Sequence, residues 1–219
     1  MDLHQTGKQS QWASVSENNR NTWQRIASKT NGIITPANGV SVIGAGLAAV
    51  GLAYIYQGDM ARGLALLIIG RVADIADGMV AARTKTKSPL GETVDAVADK
   101  LIMLAALIVF VVAGIVPLAV VVLIAAHNGV SALFGVAAKV RKRVLHPSWP
   151  GKLATAFQWG ALFLFVGAEL LRSTVGIADT AAGVAAWATL MISVILGAFA
   201  VRGYMRVALA PANRQESGR

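Results

Sequence analysis

Residues 74–100 read DIADGMVAARTKTKSPLGETVDAVADK. Four aspartates and one glutamate fall in this stretch, yet long apolar runs flank it on both sides. The flanks decide the fold. Several windows approach the roughly 20 apolar residues that cross a bilayer core. Of the 219 residues, 55% are hydrophobic and 14% are charged, and the mean hydropathy is +0.59. A soluble domain would carry roughly 25% charged residues. The composition therefore predicts an all-α integral membrane protein, and it makes carboxylates inside the apolar region the feature to explain.

Working outward from this stretch, six spans are expected, at about 37–56, 62–82, 92–113, 116–138, 151–171 and 181–203. SPLG at 88–91, HPSWPG at 146–151 and Gly176 supply turn signals between them. Basic residues set the orientation. Sixteen of the 20 lysines and arginines fall in the N-terminal tail, the second-to-third and fourth-to-fifth connections and the C-terminal end, against Arg62 and Arg172 on the other side. The positive-inside rule then puts both termini in the cytoplasm, which requires an even number of spans. The expected location is the cytoplasmic membrane, with the acidic stretch at its cytoplasmic face. The same distribution argues against nucleic acid as the partner of the +9 net charge, because the cations cluster at span ends, where they orient the chain and attract anionic lipid.

The expected organisation is a cytoplasmic tail over 1–34, a membrane domain over 35–207 and a cytoplasmic C-terminal tail over 208–219. The first 20 residues lack an apolar core and read as a polar tail, not a cleavable signal. Within 19–30, NRNTWQRIASKT, helical spacing puts Trp23, Ile26 and Ala27 on one face with Arg20, Arg25 and Lys29 around the rest, which predicts a short interfacial helix. The absence of cysteine excludes disulfides, thiolate metal sites and a cysteine nucleophile.

Asp74 and Asp77 are three residues apart and Asp95 and Asp99 four apart, so each pair shares a helix face. A hairpin between the second and third spans brings the four together. Four carboxylates cannot stay ionised in a low-dielectric site without cations, because burial and mutual repulsion both disfavour the charge. A divalent metal resolves this, and all-oxygen ligands suit Mg²⁺, Mn²⁺ or Ca²⁺ over zinc. The competing readings are water-facing carboxylates paired with Arg71, Arg83 or Lys100, and a cation-conducting path. Against the path, the acids cluster at one membrane face and none lies deeper. Small residues, Gly78, Ala81, Ala82 and Gly91, accompany the acids and would let a bulky ligand approach the backbone or let helices pack closely.

DIADGMVA at 74–81 and GETVDAVAD at 91–99 resemble the signature of the CDP-alcohol phosphotransferase family, D-x2-D-G-x2-A-R-x8-G-x3-D-x3-D. Every spacing matches, and seven of the eight fixed positions agree. The departure is Ala82, where the family has arginine; Arg83 follows, but a helix turns about 100° per residue, so it starts on a different face. The resemblance implies a six-span, usually homodimeric membrane enzyme that displaces CMP from a CDP-linked lipid with an alcohol acceptor. It implies that Asp74, Asp77 and Asp95 ligate metal, two Mg²⁺ or Mn²⁺ ions, with Asp99 a shared ligand or the catalytic base. Gly78, Ala81 and Gly91 would line the CDP site, with Ala82 or Arg83 beside them. TPAN at 35–38 is similar to the family's lead into the first span, and brings Thr35, Pro36 and Asn38 to the nucleotide.

The acceptor is read from weaker similarities. DAVADK at 95–100 and SWPGKLATAFQ at 148–158 resemble segments of phosphatidylglycerophosphate synthases, which implies CDP-diacylglycerol as donor and glycerol 3-phosphate as acceptor. Cardiolipin synthases share part of this pattern, and an inositol-phosphate acceptor or a catalytically degenerate member are the further alternatives. The arginine-acid pair of the fourth span is replaced by His127-Asn128. Arg141, Arg143 and Lys152 lie on the cytoplasmic side and could bind an acceptor phosphate, although membrane anchoring accounts for much of that charge. His127, inside an apolar span, is a candidate acceptor contact.

Overall fold

In the computed structural model, which describes residue 10 and residues 15–86, 89–141, 148–175 and 180–209, the described residues are helical with no strand. They form two compact units, Met1–Ala113 and Gly114–Arg219, each taken by itself below.

The first unit contains α1 (Thr22–Lys29), α2 (Pro36–Tyr56), α3 (Met60–Thr84) and α4 (Pro89–Val112). Thr35 starts α2: its hydroxyl accepts from the Asn38 backbone N–H at 3.1 Å, and Pro36 occupies the first turn, where a missing N–H costs nothing. Asp59 caps α3 by accepting from the Arg62 N–H at 3.2 Å. Between them, Gly58 takes φ +90°, a turn conformation that suits a residue without Cβ.

Two glycine pairs lock α2 against α3. A Cβ built on Gly70 would lie 2.6 Å from the Gly44 carbonyl oxygen, and one on Gly51 would lie 2.8 Å from the Gly63 oxygen. Each pair is separated from the next by seven residues, two helical turns, on both helices. Lipid offers no hydrophobic drive to bring helices together, so small residues that allow backbone contact do this work. Gly44 thus packs against α3 of its own chain. The same antiparallel register, carried two turns further, places Ala37 and Ser41 of α2 beside Asp77 of α3. The glycine contacts thereby set the geometry of the acidic region. Buried side chains along α4 include Met103, Ala106, Leu107 and Phe110.

Helix α1 forms within the expected 19–30 segment. Asn21 and Gln24 build a reciprocal capping box, with hydrogen bonds of 2.8 and 3.0 Å. Gln24 and Ala27 are buried, whereas Trp23 is 46% exposed. The amides of Asn21 and Gln24 donate to the carbonyls of Thr84 and Lys85 at 3.3 and 3.4 Å, covering acceptors that the end of α3 leaves open. A polar residue wins the buried position here because it satisfies backbone that an apolar one could not.

The second unit contains α5 (Leu118–Val140), α6 (Trp149–Val175) and α7 (Thr180–Leu209), with α7 packed on both others. Ala154, Ala161, Leu162, Val166, Leu190 and Ala200 are among its buried residues. Asn128 donates to the Gln158 side-chain oxygen at 3.1 Å, and Ser193 to the Ala154 carbonyl at 3.0 Å. Such bonds pair polar groups that would otherwise face hydrocarbon.

The six expected spans all fall on helices, α2 to α7, within six residues of the expected ends. Among the described residues, four helical stretches are long and apolar enough to cross a membrane: Pro36–Tyr56, Leu118–Ala138, Trp149–Val175 and Ala181–Leu209. Helices α3 and α4 fall short in composition, not length. The former carries Arg62, Arg71, Asp74, Asp77 and Arg83, and the apolar part of the latter opens with Asp95, Asp99 and Lys100. The two helices that depart from simple lipid solubility are the two that hold the acids.

Candidate metal and nucleotide site

One oxygen from each of Asp74, Asp77 and Asp95 lies within 4.8 Å of the others. Two come from one face of α3 and the third from α4, as the hairpin reading requires. Ligands of one octahedral Mg²⁺ sit about 2.1 Å from the ion and hence up to about 4.2 Å apart. Small side-chain rotations would close the cluster onto such an ion. The donor set is oxygen only and strongly negative, which suits a hard divalent cation. The residues therefore fit the metal that the sequence implies.

Asp77 is buried, 7% exposed, and its Oδ2 accepts a hydrogen bond from the Ser41 hydroxyl. Ser41 also donates to the Ala37 carbonyl at 3.1 Å. Arg71 sits one helical turn before Asp74. Its Nη2 lies 3.1 Å from Asp74 Oδ2 and its Nη1 lies 2.7 Å from Asp99 Oδ1. Asp99 thus faces a guanidinium and is not one of the three clustered carboxylates.

A cavity of about 160 Å³ opens beside the cluster, with Asp77 and Asp95 in its wall. Of the residues expected at the nucleotide, Thr35, Asn38, Gly78, Ala81 and Gly91 line it. Pro36, Ala82 and Arg83 do not, and the latter two are exposed. Arg83 thus lies on a different part of α3 from the cavity-lining Gly78 and Ala81, in keeping with the 100° step per residue. A Cβ added at Gly78 would meet nothing within 4 Å, so this part of α3 presents bare backbone to open space. Asn38 donates to the Gly32 and Ile33 carbonyls at 3.2 and 2.8 Å, which ties the segment before α2 to the cavity wall.

Sequence reasoning missed Ser41 and Thr86 as wall residues. Nothing local marks Ser41, because its partner is 36 positions away and is delivered by the α2–α3 register. Thr86, 3% exposed, follows the left-handed turn at Lys85, where φ is +54°. Arg71 did carry a signal: it precedes Asp74 by three, the spacing of a same-face ion pair.

The expected acceptor residues lie in the second unit. His127 packs over Gly197, where a Cβ would collide with the imidazole. Arg141 donates to the Ala208 carbonyl at 2.6 Å, and Lys152 is exposed near the start of α6. Arg143 lies outside the described residues.

Comparison with the curated proteins returns no match. Comparison with protein families is decisive: the profile described as CDP-alcohol phosphatidyltransferase matches residues 34–200, well over half of the chain, and takes in the whole acidic hairpin and the glycine-locked pair that supports it. This chain belongs to the CDP-alcohol phosphatidyltransferase family.

Proposed function

We propose that the protein is a six-span, homodimeric enzyme of the cytoplasmic membrane that transfers the phosphatidyl group of CDP-diacylglycerol to glycerol 3-phosphate and releases CMP. Both termini and the active site would face the cytoplasm, and the membrane domain would run over 35–207. Cardiolipin synthesis and transfer to an inositol phosphate are the alternatives within the family. The observation that supports this reading most is the oxygen triad of Asp74, Asp77 and Asp95 at the wall of a cavity lined by Gly78, Ala81 and Gly91.

Asp74, Asp77 and Asp95 would hold two divalent ions, Mg²⁺ or Mn²⁺. When bound, such ions neutralise the diphosphate and ease departure of CMP. Ser41 keeps Asp77 oriented toward its neighbours. Gly78, Ala81 and Gly91 admit the diphosphate close to the backbone, and Thr35 and Asn38 border the nucleotide. Asp99 serves as base. It accepts the proton of the acceptor hydroxyl as that oxygen bonds to the lipid-bearing phosphorus and the phosphorus–oxygen bond to CMP breaks. Arg141, Arg143, Lys152 and His127 supply the positive charge and hydrogen-bond donors that a phosphorylated acceptor needs.

Purified protein with CDP-diacylglycerol and Mg²⁺ is expected to release CMP with glycerol 3-phosphate and not with phosphatidylglycerol, inositol phosphate or no acceptor. Asp99→Asn is expected to lower that rate about 10²–10⁴-fold, the usual contribution of a general base. Acceptor-dependent release by phosphatidylglycerol alone would reassign the enzyme to cardiolipin synthesis. No release with any acceptor, from protein that still binds Mn²⁺, would favour a member that has lost turnover along with the arginine at Ala82.

Gly78→Ala gives a sharper test of the cavity. The new methyl meets no protein atom, so Tm is expected to hold or rise slightly, since alanine favours a helix over glycine by about 1 kcal/mol. KM for CDP-diacylglycerol is expected to rise about tenfold, the effect of one misplaced methyl in a fitted pocket. An unchanged KM would place the nucleotide elsewhere.

A further inference from the structure

Helix α3 ends in an unfavourable conformation. Lys85 caps it at φ +54° and ψ 41°, in the left-handed region, where a Cβ is strained and glycine is the usual residue. The Lys85 N–H donates to the Ala82 carbonyl at 3.3 Å, and the Thr86 N–H donates to the Ala81 carbonyl at 3.1 Å. This is the paired closing turn of a helix C-terminus, built here without glycine. Such strain persists only where the surrounding structure holds it. The turn matters for the site because Thr86, which follows directly, is buried in the cavity wall.

The hold comes from α1. The amides of Asn21 and Gln24 donate to the carbonyls of Thr84 and Lys85. Gln24 and Ala27, three apart on one helix face, are 3% and 0% exposed. The other end of α1 is tied down as well. The Gly32 N–H donates to the Ala27 carbonyl at 2.7 Å, and the Asn38 amide bonds the Gly32 and Ile33 carbonyls. Thr35 and Asn38 line the same cavity as Thr86. Residues 21–38 therefore join two parts of its wall, one at the start of α2 and one just past the end of α3. Gln24 is not itself in the wall, so it acts on a ligand only through the turn it holds.

We propose that α1 is a strap between these two parts of the wall, and that Gln24 is a positioning residue that fixes the Lys85–Thr86 turn in the shape that receives a nucleoside diphosphate. The effect on nucleotide rests on the transferase reading; the strap rests on the hydrogen bonds and the left-handed turn.

Gln24→Glu separates the strap from the helix cap. The Gln24 side-chain oxygen accepts from the Asn21 N–H, and its amide nitrogen donates to Lys85. Glutamate keeps the acceptor, and with it the capping box, but loses the donor. In the full chain in detergent, amide hydrogen exchange over 80–86 is expected to become about tenfold faster. CDP with Mg²⁺, followed by calorimetry, is expected to bind about tenfold more weakly, below the roughly 100-fold that misplacement by about 1 Å can cost. KM for CDP-diacylglycerol is expected to rise by a similar factor while kcat stays within about twofold, a split that general loss of stability would not produce. Lys85→Gly supplies a rescue, because glycine takes the left-handed turn unaided. In that background Gln24→Glu is expected to lose about threefold or less in CDP affinity.

Wild-type exchange or wild-type CDP affinity in folded Gln24→Glu protein would overturn the proposal, as would an equal loss of affinity in both backgrounds. Should Gln24→Glu fail to fold, Asn21→Asp keeps an N-cap acceptor and removes only the donor to Thr84, at an exposed position. Wild-type exchange and affinity in that variant would overturn it equally. A wild type that binds no CDP would overturn the nucleotide reading of the cavity, and the exchange comparison would then decide the strap by itself.

Discussion

Asp77→Asn is expected to keep the fold and lose about 10²–10³-fold in CMP release, the range seen when one preorganised electrostatic group is removed from an active site. Asp77 is the most buried of the clustered acids, 7% exposed. It also has a neutral neighbour, the Ser41 hydroxyl, as its hydrogen-bond partner. Asparagine has the same shape and its carbonyl oxygen can still accept from Ser41, so packing is retained. What disappears is a negative ligand atom at the centre of the triad. Mn²⁺ affinity is therefore expected to fall together with turnover, while Tm stays near the wild-type value. Turnover close to wild type would remove Asp77 from the metal site and, with it, the main support for the proposed chemistry. A large fall in Tm would instead mean that the carboxylate serves the fold.

Gly70→Ala is expected to have the largest effect on stability. The added methyl would lie 2.6 Å from the Gly44 carbonyl oxygen, 3.0 Å from the Ala48 backbone nitrogen and 3.1 Å from the Ala48 Cβ. The first two are backbone atoms in a helix, which cannot rotate away as a flexible side chain can. The helices must separate or slide. Overpacking of this kind costs about 3 kcal/mol at the upper end of its usual range, or about 6–12 °C in Tm for a chain of this size. Gly46→Ala is the control, because a Cβ there meets nothing within 4 Å. The same α2–α3 register sets Ser41 against Asp77, so residual folded Gly70→Ala protein is expected to bind Mn²⁺ more weakly as well. Thermal unfolding in detergent with a parallel Mn²⁺ titration checks both. Equal Tm values for the Gly70 and Gly46 variants would show that close glycine contact does not hold this helix pair.

Some features of the site were legible in the sequence and others were not, for identifiable reasons. Asp74, Asp77 and Asp95 could be grouped in advance because helical spacing puts near neighbours on one face and a short connection returns the chain. Gly78, Ala81 and Gly91 could be placed at the cavity because they share the helices of those acids. Asp99 follows the same spacing rule as Asp95, yet it stands outside the triad, opposite Arg71. Spacing gives the face of a helix, but it does not say which of two opposite charges a side chain will meet. The short helix α1 shows the same limit. Its amphipathic pattern marked Trp23, Ile26 and Ala27 and gave no sign of Gln24, which is buried where its amide reaches the open carbonyl of Lys85.

The sequence by itself determined the all-helical membrane character, the positions of six long helices, the acidic hairpin and its family signature. These follow from local properties: apolar run length, charge placement and helical periodicity. The tertiary structure decided which side chains meet across helices. It paired Ser41 with Asp77, turned Ala82 and Arg83 away from the cavity, and set Asp99 against Arg71. Each of these depends on the rotation and register of one helix against another, which here is fixed by backbone contact at glycines up to 26 residues apart in the chain, Gly44 and Gly70. No local pattern specifies which glycines will meet, because the contact is favourable only once the whole faces of both helices fit.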